Sequence, residues 1–152
     1  MKEEKTIGKK DIEKLLAEGE NVQAPVNGYS MSPLLTPGRD FVLLTPYTGQ
    51  QLKKHDVILF RRINDRLILH RIHKINDDRV YCIGDNQVQI EGPLELDQIK
   101  GVAYGFIRNG KTISTDSISY RLSSFLWTLT RPIRPLIHKT VSAYKKLFNI
   151  SR

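Results

Sequence analysis

Three short stretches carry residues that could do chemistry together. Ser30 sits in "VNGYSMSPLL" (26–35), His70 in "RLILHRI" (66–72) and Asp85 in "IGDNQ" (83–87). Gly28 permits backbone angles that other residues avoid, and Pro33 biases Ser32 towards an extended conformation. Ser30 is therefore expected in a bend, clear of regular structure. A hydroxyl is almost wholly protonated at neutral pH, so a serine nucleophile needs a base. No lysine lies inside "DVILF" (56–60) or "RLILHRI", which leaves His70. Alternate residues of a strand share a face. Ile68, His70 and Ile72 then point one way, and Leu67, Leu69 and Arg71 the other. An imidazole between two isoleucines is desolvated, which favours the neutral form that accepts a proton. Asp85, in the turn after "RVYCI", emerges near the strand bearing His70 and is placed to orient a base. Each residue also has an ordinary explanation: a turn serine, a satisfied core histidine, a turn aspartate.

Metal binding is a poor fit to the same residues. His70 and His73 face opposite sides of a strand, and His55 and Cys82 complete no zinc spacing. One cysteine, Cys82, excludes an internal disulfide framework. No residue pattern calls for a cofactor.

The elements that must hold these residues come next. "KKDIEKLLAE" (9–18) has apolar residues at Ile12, Leu15 and Leu16, the spacing of a short helix, with Gly19 as its stop. "DFVLL" (40–44), "DVILF" (56–60), "RLILHRI" (66–72), "RVYCI" (79–83) and "IKGVAYGFI" (99–107) have strand texture. Asn109-Gly110 is a hairpin signal between "YGFIR" and "KTIS". The spacing predicts a mainly β body with helical ends. At 152 residues the chain is expected to form one domain around a single core.

Charge is uneven. Net charge is +8, from 24 basic and 16 acidic residues. No acid follows Asp116, yet seven bases do, which leaves +1 for residues 1–116. In the tail, Leu122, Phe125, Leu126 and Leu129 make one apolar stripe. Pro132 and Pro135 interrupt it, and Ile137, Val141, Tyr144 and Phe148 make a second. Basic amphipathic helices with an interfacial Trp127 suit an anionic membrane surface, with packing on the β body as the alternative. Nucleic acid fits less well, because the body has no basic face. The start of the sequence has no signal-peptide-like run, and no apolar stretch approaches the about 18 residues of a membrane span. The expected location is cytoplasmic, with the tail suited to the inner face of the membrane.

The order of the motifs is more specific than any one of them. G-x-S-M-x-P, then D-V-I-L-F, then L-H-R-I, then G-D-N resembles the superfamily of signal peptidases and LexA-like or UmuD-like serine peptidases. The resemblance covers about residues 24–114 and continues through "IKGVAYGFI". It implies a signal peptidase/LexA-like β fold and hydrolysis of a peptide bond in a peptide or protein precursor. Most bacterial members pair Ser with Lys. The "HR" dipeptide resembles the endoplasmic-reticulum and archaeal signal peptidase branch, which uses His. Carried over by position, Ser30 is the nucleophile, His70 the general base, Asp85 the acidic partner, and the Ser30 N–H an oxyanion donor. The sequence departs from the pattern at Arg39, inserted into the usual "GD", and at His55, where Gly is usual. Gly28 supplies no hydroxyl two residues before the nucleophile. Residues 1–24 hold neither a membrane anchor nor room for a helix-turn-helix domain. The resemblance thus divides the chain into an N-terminal helical arm (1–23), a peptidase β domain (24–114) and a basic amphipathic tail (115–152). The alternative to an enzyme is a peptide-binding module of the same fold without turnover.

Overall fold

A computed structural model of the chain describes residues 9–133. The second apolar stripe expected in the tail, from Ile137 to Phe148, lies outside them.

The chain is mainly β: eight antiparallel strands and two α-helices. Helix α1 (Lys9–Ala17) comes first, then β1 (Val22–Pro25), β2 (Asp40–Pro46), β3 (Val57–Arg61) and β4 (Leu67–Asn76). They are followed by β5 (Arg79–Ile83), β6 (Glu91–Leu94), β7 (Ile99–Arg108), β8 (Lys111–Ser114) and helix α2 (Ile118–Leu129). Spatial order is β1-β2-β7-β3-β4-β5-β6, with β8 also on β7. Asn109 and Gly110 both adopt positive φ, 50° and 74°, as a two-residue hairpin turn requires, and Arg108 pairs with Lys111 across it.

The sheet separates two apolar clusters. Val57, Leu59, Val42, Leu44, Met31, Leu35 and Phe106 form one, joined by Ile12 and Leu16 of α1. The helix is thus anchored in the core, as its i, i+3, i+4 spacing requires. Gly19, at φ +87°, ends it. Ile58, Phe60, Ile72, Val80, Cys82 and Leu94 form the other cluster. Strand β4 alternates between them as period two demands: Leu67 and Leu69 pack on the first, Ile68 and Ile72 on the second.

Helix α2 is turned opposite to an ordinary surface helix. Tyr120, Ser124 and Trp127 face the body, while Leu122, Phe125, Leu126 and Leu129 are exposed. The first tail stripe therefore does not pack on the β body. Ser117 caps the helix by accepting from the Tyr120 N–H, and a 3-10 turn at Arg131–Ile133 follows it. Among the described residues, no helix is long and apolar enough to cross a membrane.

Candidate active site

Ser30 follows Gly28, at φ +76°, and opens a compact turn. The Ser32 N–H donates to Tyr29 C=O (3.1 Å) and the Leu35 N–H to Met31 C=O (2.9 Å). Met31 and Leu35 are buried and pin the turn into the first cluster, which leaves Ser30 half-buried beside them. The far end of the loop is clamped by charge. Asp40 is buried and accepts from Arg39, from Arg108 and from the Thr36 N–H. Burial alone would raise its carboxyl, but the two guanidiniums prevail and hold it at about 2. Arg39, the departure from the motif, also donates to Pro33 C=O (3.0 Å) and so ties the Ser30 loop to Asp40.

The "GDN" turn meets this loop directly. The Asn86 N–H donates to Ser30 C=O at 2.7 Å. Gly84 makes that approach possible, since a Cβ there would lie 2.6 Å from the Ser30 carbonyl oxygen. Strands β4 and β5 pair Arg71 with Ile83. That pair ends the ladder, and Gly84 follows it directly, one residue before Asp85.

His70 is 2% exposed, paired with Ile58 on β3 and edge-on to the Phe60 ring at 6.0 Å. Its Nδ1 lies 3.3 Å from Glu91 Oε2, close enough for attraction, but the angle falls short of a hydrogen bond. Glu91 is itself held by Arg62, which donates through both Nε and Nη2, the latter at 2.7 Å. Burial pushes the His70 pKa below its usual value, while the Glu91 charge pulls it back up. The imidazole is neutral at neutral pH and faces a fixed carboxylate.

Asp85 is placed on the other side. Fully buried, it accepts from Arg71 Nε (2.8 Å) and Nη2 (2.7 Å). Arg71 also donates to His55 C=O (2.9 Å) and to the Tyr120 hydroxyl (3.1 Å). Burial opposes the Arg71 charge, but the hydrogen bonds it donates to the Asp85 carboxylate more than offset this and raise the guanidinium's pKa. Trp127 Nε1 donates to the Asp85 carbonyl at 2.7 Å, so α2 is fastened to the same turn that holds Ser30. Adjacent residues of β4 thus meet separate carboxylates, His70 facing Glu91 and Arg71 bound to Asp85. His55 lies at φ +80°, which explains why a glycine suits that position.

A cavity of about 250 Å³ opens beside Ser30. Ala24, Val26 and Gly28 line one side, and Leu67, Ile68 and Leu69 the other. β5 pairs with β4 only from Arg71 onward, so among the described residues no strand pairs with the outer edge of residues 67–70. β1 pairs with β2 alone. Two strand edges with unpaired backbone groups therefore flank one apolar cavity, a geometry that accepts an extended peptide by strand addition.

Burial pushes the Cys82 thiol up to about 12, so no thiolate forms there at neutral pH. Among the described residues, no three or more His, Cys, Asp or Glu side chains are grouped to hold a metal ion. Glu91, Arg62, Arg71 and Tyr120 were given no part in the site from the sequence, and Trp127 was expected at an interface instead. Arg71 carried a signal: a charged residue on the apolar face of a strand needs a buried carboxylate. No family model matches the chain, and no curated protein matches it.

Proposed function

We propose that the chain is a serine endopeptidase of the signal peptidase/LexA-like type, acting on an extended segment of a peptide or protein. Ser30 Oγ attacks the carbonyl carbon of the scissile bond, and neutral His70 takes its proton. The tetrahedral intermediate collapses to an ester on Ser30, and the imidazolium gives the proton to the departing amine. Water, deprotonated by His70, then releases the acid. Glu91 stabilises the imidazolium from the Nδ1 side, the part that the motif order gives to Asp85. Asp85 and Arg71 instead fix the turn against which Ser30 rests. The observation that carries this reading is the placement of Ser30 at a cavity between two free strand edges, one of which leads into His70.

The test is covalent labelling. A fluorophosphonate should add to Ser30, seen as a mass increase on the peptide containing it, and Ser30→Ala and His70→Ala should each abolish the adduct. An unlabelled wild-type protein that still binds extended peptides would instead be the binding module without turnover.

A further inference from the structure

We infer that the outward face of α2 docks on an anionic lipid surface, with the helix lying in the plane of the headgroups. Ile118, Leu122, Phe125, Leu126 and Leu129 fall within about 100° of arc on one side of α2, and Ile133 is exposed in the 3-10 turn that follows. Each is more than half exposed, Phe125 least at 52%. The opposite side carries Tyr120, Ser124 and Trp127, which are spent on Arg71, Asp85 and the body. A helix that turns polar and aromatic groups inward and five large apolar side chains outward has its apolar face aimed at something other than its own fold.

Charge selects the occupant. Residues 117–152 hold seven bases and no acid. Lys53, Lys54 and Arg121 surround a 530 Å³ cavity whose wall includes Ile118, Leu122 and Phe125. Asp56 and Asp116 line the same cavity. Asp56 accepts from the Lys53 N–H, and Lys53, Lys54 and Arg121 outnumber the two acids by one. Apolar side chains rimmed by cations match the boundary between acyl chains and anionic headgroups, where each base near the surface adds to the attraction. A second copy of the chain would bring the same positive charge against itself. Trp127 differs from its expected part. It faces inward and couples the docked helix to the Asp85–Asn86 turn, so docking would hold the Ser30 cavity beside the membrane.

The test uses the full chain and cosedimentation with vesicles. Binding should be at least about tenfold tighter to phosphatidylcholine vesicles containing phosphatidylglycerol than to phosphatidylcholine alone, and should weaken as salt rises from about 0.1 M to 0.5 M. Phe125→Ser with Leu126→Ser should lower the partition at least about tenfold with the melting temperature unchanged, since both side chains are exposed. Equal binding by that double variant would overturn the proposal. So would a wild-type chain that ignores anionic vesicles, whether it sediments as a dimer through this face or stays monomeric with the face covered by residues 134–152. Fluorophosphonate labelling of Ser30 is read separately, so failure of one proposal does not decide the other.

Discussion

His70 Nδ1 stands 3.3 Å from Glu91 Oε2, whereas both oxygens of Asp85 are bound by Arg71. The two carboxylates therefore have different duties, and substitutions should separate them. Glu91→Gln should cut kcat by about 100-fold or more while leaving the fold intact, because an imidazolium forms without its counter-charge. Asp85→Asn should instead cost about 3–5 kcal/mol of stability, because it leaves Arg71 buried and unpaired. Urea unfolding and peptide hydrolysis, measured on both variants, decide it. If Asp85→Asn is fully stable and Glu91→Gln fully active, the assignment is reversed.

Burial holds the His70 pKa below its ordinary value, so the base remains competent into mildly acid solution. kcat/KM should fall only as pH drops through a midpoint below about 6.5 and should be flat around neutrality. Stability follows the same group. The unfolded chain takes up a proton on this histidine before the folded chain does. Stability is therefore full above the unfolded pKa and is lost as pH falls from there towards the folded pKa. His55 and His73, also lowered by burial, add to that acid loss. Activity that is still rising between about pH 8 and pH 9 would point to a different base.

Gly84→Ala should impair catalysis more than folding. The new Cβ would lie 2.6 Å from the Ser30 carbonyl oxygen, and one of the two backbones must move. Displacing a nucleophile by even about 1 Å costs on the order of 100-fold in rate. Circular dichroism should be unchanged while labelling of Ser30 slows. Labelling at the wild-type rate would show that the Ser30 carbonyl tolerates the shift.

His55→Gly should stabilise the protein by roughly 1 kcal/mol, because it relieves a side chain held at φ +80°. Both backbone hydrogen bonds of His55, from its N–H to Ile72 C=O and from Arg71 to its C=O, survive the change. The melting temperature should rise by about 2–4 °C for a chain of this size. A fall would mean that the imidazole packs more favourably than its backbone is strained.

The strands that were legible are those in which a local pattern decides the matter. "DVILF" and "RVYCI" are apolar enough to be buried in any arrangement, and the parity of "LILHRI" assigned each β4 side chain to its face. β1 (Val22–Pro25) and β6 (Glu91–Leu94) were not legible. Each has four residues and includes a proline, and each is a strand because β2 or β5 lies beside it. That gap explains why Glu91 went unassigned. Only the pairing of Cys82 with Glu91 turns the carboxylate towards the face that carries His70. The tail stripe was legible as amphipathic, but Tyr120 and Trp127 find their partners only in three dimensions. Through those partners α2 is tied to the Arg71–Asp85 pair.

Strand β7 is the only bridge in the described sheet between β1–β2, which bracket Ser30, and β3–β6, which carry His70 and Glu91. It is also among the last strands to be synthesised, ending at Arg108. During translation Ser30 and His70 therefore leave the ribosome in two parts of the chain that have no sheet contact with each other until β7 pairs with both. Joining them waits for a late, long-range pairing, the slow class of event in folding. A nascent chain stalled before residue 99 carries every candidate catalytic group but lacks the strand that joins the two parts of the sheet, so the order of synthesis delays their final arrangement until β7 has emerged.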